Sequence, residues 1–169
     1  MQLDRIDSAL VGALQKDARM SNKELAAHVG LAASSCHTRV RRLVKEGVFR
    51  GFHADVAPEA LGIALEALLF IRLGKHSRET VQRFSEYVRC LNEVREVIHV
   101  AGAMDFVVRV AVPDSNALRD LVVDSFADRE DVSHVETSLI FDSARAHQKP
   151  NFLHPKDSGQ TRHLGKPAP

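Results

Sequence analysis

The chain has little cysteine, no long apolar run and almost no net charge. Its 169 residues include two cysteines, Cys36 and Cys90, with no Cys-x-x-Cys spacing between them. That argues against a disulfide framework or a thiolate zinc site and points to a reducing cytoplasm. No apolar run approaches the roughly 20 residues that a membrane helix needs, so no membrane partner is expected. The opening Met1-Gln2-Leu3-Asp4-Arg5 lacks the basic region and apolar stretch of a secretory signal, and none is expected. No Ser-His-Asp set, nucleotide loop or metal-ligand cluster occurs in order, so no catalytic residue, metal or resident cofactor is expected.

What is present is the balance of a folded chain, 44% hydrophobic and 27% charged. The length allows one ordinary domain or two small ones. The net charge of +1 conceals a partition. Residues 1–60 hold nine basic and seven acidic side chains, residues 61–143 hold nine and fourteen, and residues 144–169 hold five and one. A basic front, an acidic middle and a basic tail suit different partners. Within the front, over residues 33–50, Arg39, Arg41, Arg42, Lys45 and Arg50 stand against Glu46 alone. This local excess suits a polyanion; a solvated helix face is the alternative.

The front third reads as three helices. Ile6, Leu10 and Leu14, with Leu3 and Val11 beside them, make one apolar stripe, and Asp4 is the expected N-cap. Ser21-Asn22-Lys23-Glu24 is a capping-box pattern opening a second helix that buries Leu25, Ala26 and Val29 and stops at Gly30. A third helix is expected over Ala33–Glu46. At about 100° per residue, Cys36, Val40, Leu43 and Val44 share one side. Ser34, Thr38, Arg41, Arg42 and Lys45 fall opposite, flanked by Ser35, His37 and Arg39. Two short helices around a tight Gly30-Leu31 turn, the second basic on its outer face, describe a helix-turn-helix. Such a helix fits the DNA major groove, while arginines neutralise phosphates. Val48 to Val56 then suggests a short wing strand, and Pro58 and Gly62 mark a hinge between residues 57 and 63.

The middle reads as strand, helix, strand, strand, helix, strand. The strands are Leu65–Leu73, Val94–Ala101, Phe106–Val112 and Val132–Phe141. The helices carry Val81, Phe84, Val88 and Leu91, and then Leu118, Leu121, Val122 and Phe126, with Asp114 as the second helix's cap. This α+β, ferredoxin-like βαββαβ order sets both helices on one face of the sheet. The other face is left to a second copy, so a homodimer is expected. His99 and His134 lie on strands of that sheet, where a shared metal is a weaker reading than an interface or solvent role. The tail from about residue 146 is rich in proline and glycine and reads as a flexible basic extension; its His147, His154 and His163 share no ligand spacing.

The arrangement resembles the Lrp/AsnC family of feast/famine transcriptional regulators over about residues 2–145. The carrying segments are Leu3-Asp4-Arg5-Ile6-Asp7 with Leu10 and Leu14, Leu25-Ala26 with Val29-Gly30-Leu31, and Cys36 with Arg39-Val40-Arg41-Arg42-Leu43. Gly47-Val48 leading to Gly51-Phe52 follows, then Gly102 and Asp105 before a strand ending Val112-Pro113-Asp114. The resemblance implies a winged helix-turn-helix over residues 1–60 that binds double-stranded DNA. It implies a RAM domain over 61–145 that dimerises, assembles further to octamers, and binds an amino acid or related metabolite. The tail, 146–169, lies outside the match.

Carried over residue by residue, Ser34, Ser35, His37 and Thr38 approach bases, and Arg39, Arg41 and Arg42 hold phosphates or read guanine. An arginine turned to an ion pair with the first or second helix is the alternative for Arg39 and Arg42. Ala32 and Ala33 stand where the family has a serine cap and a proline, so the helix start is left to Ser34 or Ser35. The effector turn maps to Gly102, Ala103, Met104 and Asp105, with Thr137, Ser138, Leu139 and Ile140 on the far wall. Asp105 would hold an ammonium; a plain hairpin turn is the alternative. Met104 replaces the family's aromatic. The same architecture also occurs in siroheme decarboxylases, the enzyme alternative, which the sorted arginines disfavour. A third reading is a metabolite-binding oligomer with no DNA role.

Overall fold

In a computed structural model of the chain, residues 3–153 are described. They divide into two compact units. One comprises the chain up to Ala54 with the return from Arg145, and the other runs from Asp55 to Ala144.

The first unit contains α1 (Arg5–Lys16), α2 (Asn22–Val29) and α3 (Ala33–Lys45). Local chemistry sets the boundaries. The Asp7 N–H donates to Asp4 Oδ1 at 2.7 Å, and the Asp7 carboxylate accepts the Asp4 N–H in return, a reciprocal capping box. Ser21 and Glu24 repeat the device at α2. Gly30 ends α2 at φ +68°, a left-handed conformation that glycine adopts without the cost of a Cβ clash. The start of α3 corrects an expectation. Ala32 is its N-cap and no side chain caps it. Ser34 and Ser35 do not substitute, because both already lie inside the first turn. Leu10, Leu14, Leu25, Cys36 and Leu43 form the buried centre.

The expected strand over Val48–Val56 is not formed; residues 50–57 carry no regular secondary structure and pair with no strand. A strand needs a neighbour's N–H and C=O groups, and among the described residues none lies alongside. Of the basic tail, residues 144–153 carry no regular secondary structure, and the Lys149 N–H donates to Gln15 Oε1 at 2.8 Å. His154 and His163 lie outside the described residues.

The second unit follows the expected order: β1 (Leu65–Leu73), α4 (Arg78–Arg89), β2 (Val94–His99), β3 (Phe106–Val112), α5 (Ser115–Val122) and β4 (Val132–Leu139). The α5 helix runs on into a π turn, Val123–Ala127. The strands form one antiparallel sheet in the order β2-β3-β1-β4. Leu69 pairs with Val108 and Ile71 with Phe106. The two-residue period of a strand puts Ala67, Leu69, Ile71 and Leu73 of β1, with Phe106, Val108, Val110 and Val112 of β3, on the side that packs against Phe84, Val88, Leu118, Leu121 and Phe126. Phe84 and Phe106 meet with ring centroids 4.9 Å apart. Leu68, Phe70, Val107 and Ile98 alternate onto the opposite face, which no helix of this unit covers, beside an Arg109–Glu66 ion pair at 2.8 Å. The edge strands β2 and β4 carry His99 and His134, so three strand spacings, about 14 Å, separate them. That is too far for one metal ion, and His99 instead stacks on Phe106.

Candidate nucleic-acid interface and ligand-binding turn

The α3 helix is amphipathic because its apolar residues recur at helical spacing. Cys36 and Leu43 are fully buried and Val40 is half-buried against the same core. Burial pushes the Cys36 thiol above its ordinary pKa, which suits a packing role. The opposite side carries Ser34, Thr38, Arg41 and Lys45, all exposed. Thr38 Oγ1 donates to the Ser34 carbonyl oxygen at 3.0 Å, the bond a threonine makes one turn back along a helix. Ser35 is exposed beside this stripe. His37 is exposed on the other flank and also lines a shallow, largely apolar hollow of about 230 Å³ with Leu14, Met20, Leu25, Val40 and Phe52. Among the described residues, Arg41 and Lys45 take part in no ion pair, so their charges face solvent.

Arg39 and Arg42 behave differently. Arg39 Nη1 lies between Asp4 Oδ2 and Asp7 Oδ1, the latter at 2.9 Å, and Arg42 Nη2 donates to Asp7 Oδ2. Asp7 is buried, so α1 presents a carboxylate to α3 from beneath. The Asp4 carboxyl is held below its ordinary range, first by the backbone N–H of Asp7 and then by Arg39. The Arg39 guanidinium is correspondingly harder to deprotonate, chiefly through Asp4. Of the two uses foreseen for Arg39, the geometry realises the ion pair with the first helix. Arg42 has the same anchor yet stays half exposed.

In the second unit, the β2–β3 turn carries the effector-turn residues. Gly102 sits at φ +141°, a backbone state that disfavours any side chain. The Val100 N–H donates to the Asp105 carbonyl at 2.9 Å, closing the turn. The Asp105 N–H donates to the Ile71 carbonyl at 2.9 Å, and Arg72 Nε donates to the Ala103 carbonyl at 2.7 Å. The Asp105 carboxylate accepts the Leu73 N–H at 2.8 Å and lies 3.0 Å from His76 Nε2. Met104 is half-buried. The sequence reading missed Arg72 and His76. Arg72 carries a visible signal, a cation near the end of an apolar strand; His76 carries none.

Thr137 and Ser138 do not join this turn within one chain. They sit on β4 opposite Leu69 and Leu68, whereas the turn meets β1 at Ile71 to Leu73, and β1 separates the two groups. Among the described residues no cluster of three or more His, Cys, Asp or Glu side chains suits a metal ion. No helix there is long and apolar enough to cross a membrane.

Comparison with known proteins agrees with both units. Residues 3–44 match the AsnC-type helix-turn-helix domain, and residues 66–150 match the Lrp/AsnC ligand binding domain. The chain is 42% identical over 144 residues to the HTH-type transcriptional regulator AldR of Mycobacterium tuberculosis, covering 85% of this chain and 80% of that protein. It is 33% identical over 143 residues to the leucine-responsive regulatory protein of Escherichia coli, covering 85% and 87%. Among solved structures, a transcriptional regulator of Neisseria meningitidis in complex with L-methionine superposes with a TM-score of 0.79 at 25% identity, covering 86% of this chain and 94% of that one. The feast or famine regulatory protein of M. tuberculosis complexed with L-methionine gives a TM-score of 0.76 at 31% identity, covering 87% and 97%. These relatives are named as transcriptional regulators or regulatory proteins, and none of these names favours the decarboxylase alternative. With a DNA-binding helix-turn-helix at the front and a ligand-binding sheet domain behind it, the chain belongs to the Lrp/AsnC family of transcriptional regulators.

Proposed function

We propose that the chain binds specific double-stranded DNA through the outer stripe of α3 and that an amino acid at the β2–β3 turn modulates this binding. The observation that carries the DNA reading is the sorting of α3: Cys36 and Leu43 buried, with Ser34, Thr38, Arg41 and Lys45 exposed opposite them. Small hydroxyls near the helix start reach base edges, and a cation one turn later reaches the backbone. Ser34, Ser35, His37 and Thr38 take the base-facing role and Arg41 the phosphate role. Arg39 serves as an anchor to α1.

Methionine in two structural relatives supports an amino-acid effector. The turn suits the polar ends of such a ligand: Gly102 admits close approach of the backbone, and the Asp105 carboxylate attracts an ammonium. Ala103 and Met104 form the rim. Thr137 and Ser138 complete the site from another copy, because their own sheet keeps them away from their own turn. The uncovered sheet face around Leu68, Phe70 and Val107 supplies a homodimer interface, and dimers assemble further, toward an octamer. A regulator of this kind works where the genome is, in the cytoplasm. The residue ranges 1–60, 61–145 and 146–169 are then the DNA-binding domain, the RAM domain and a basic tail.

The test is a gel-shift titration, with nuclease footprinting, of a duplex from upstream of the chain's own gene, with and without L-methionine and the other common amino acids. Binding with helically phased protection, shifted by one amino acid, is the expected result. Binding that no amino acid alters removes the effector reading and leaves the DNA reading standing.

A further inference from the structure

We infer that Asp7 is a positioning residue for DNA binding: it holds the Arg42 guanidinium so that its unused N–H groups take a backbone phosphate. The inference rests on the proposal that α3 lies on DNA. Asp7 is buried in the first turn of α1, and both its oxygens are engaged: Oδ1 accepts Arg39 Nη1, while Oδ2 accepts Arg42 Nη2 and the Asp4 N–H. The two arginines it holds differ in what they have left. Arg39 shares one nitrogen between two carboxylates and is 30% exposed. Arg42 uses one nitrogen on one carboxylate and is 47% exposed. A guanidinium carries five N–H donors in a planar fork. Among the described residues, nothing else takes up those of Arg42. The fork is therefore fixed on its inner side and open on its outer side, next to the exposed Arg41 on the same helix.

A buried carboxylate beneath an arginine can act in two opposite ways, and they differ in the sign of a measurable effect. If Asp7 only cancels charge, removing its charge frees a cation, so DNA binding tightens and its salt dependence steepens. If Asp7 orients the fork, removing its charge lets Arg42 swing away, so binding weakens and one phosphate contact is lost. Each such contact contributes about 0.9 to the slope of log K against log salt concentration.

The experiment measures that slope by fluorescence anisotropy on a labelled duplex from upstream of the chain's own gene, for the wild type and for Asp7→Asn, Arg42→Gln, Arg42→Lys and Arg41→Ala. Circular dichroism checks that each variant is folded. Arg42→Gln is expected to lower affinity about tenfold and reduce the slope by about 0.9. Asp7→Asn is expected to do the same and to add nothing when it is combined with Arg42→Gln. Arg42→Lys is expected to follow Arg42→Gln, because a lysine drawn to Asp7 lacks the fork that reaches outward; this readout decides the matter if Asp7→Asn does not fold. Tighter binding by Asp7→Asn, or a wild-type slope for Arg42→Gln or Arg42→Lys, overturns the inference. Arg41→Ala separates the two layers of the argument. If it weakens binding while Arg42→Gln does not, only the role of Asp7 falls; if neither matters, the docking of α3 falls as well.

Discussion

The Asp105 carboxylate accepts the backbone N–H of Leu73 at 2.8 Å and so ties the β2–β3 turn to the end of β1. The same carboxylate faces His76. Its place beside the turn is thus held by the fold, so that in the proposed effector role it would meet a ligand ammonium already oriented.

Asp105→Ala takes away both the charge and the acceptor. The orphaned N–H should cost about 1–3 kcal/mol of stability, and the amino-acid response should be lost while DNA affinity without ligand is kept. Asp105→Asn retains an oxygen for Leu73 and separates the two effects: stability near wild type with no thermal shift on adding methionine. A methionine shift that survives in Asp105→Asn places the effector elsewhere.

The bare start of α3 offers a gain. Ala32 already has the extended backbone of an N-cap, φ −65° and ψ 145°, but no oxygen to offer. Ala32→Ser should stabilise the helix-turn-helix by about 1 kcal/mol, read as a higher urea midpoint with an unchanged slope.

Phe84 is fully buried, with its ring near both Phe106 and Phe126. Phe84→Ala should cost the sheet domain about 3–5 kcal/mol. Calorimetry should show that transition falling while the helix-turn-helix transition stays in place.

Acid should weaken the sheet domain through Asp131. Hydrogen bonds from Arg129, with Arg83 nearby, hold its carboxyl below the ordinary aspartate range. A depressed folded-state pKa means the stabilisation is complete above the unfolded value, about 3.9, and disappears as pH falls through the folded one. Asp131→Asn should therefore be less stable than wild type at pH 7 and converge with it toward pH 2, as thermal unfolding across that range would show.

The legible parts of the fold were those written locally. Asp4, Ser21 and Gly30 mark helix ends by chemistry confined to three or four residues, and Ile6, Leu10 and Leu14 mark a face by spacing alone. The βαββαβ order was readable because valine-rich runs alternate with helical stripes. The strand expected after α3 failed because pairing is not local: Phe49 and Phe52 supply strand-forming side chains, but among the described residues no partner strand lies alongside. The site was only half legible for the same reason. That Arg41 points outward follows from helix geometry. That Arg39 turns to Asp4 and Asp7 depends on how α1 packs against α3, over separations of 35 and 32 residues. His76 was invisible, and Arg72 showed only as a charge in an apolar strand, because their contacts at the Asp105 turn arise only when β1 lies beside β3.

The docking of α3 on DNA is tested most directly by photo-crosslinking. A benzoylphenylalanine replaces Thr38 on the outer stripe in one preparation and the exposed Gln82 of α4 in another. Irradiation with the upstream duplex should crosslink the position-38 protein to DNA, suppressed by excess unlabelled duplex, and should leave the position-82 protein uncrosslinked. Crosslinking from position 82 with none from position 38 would contradict it.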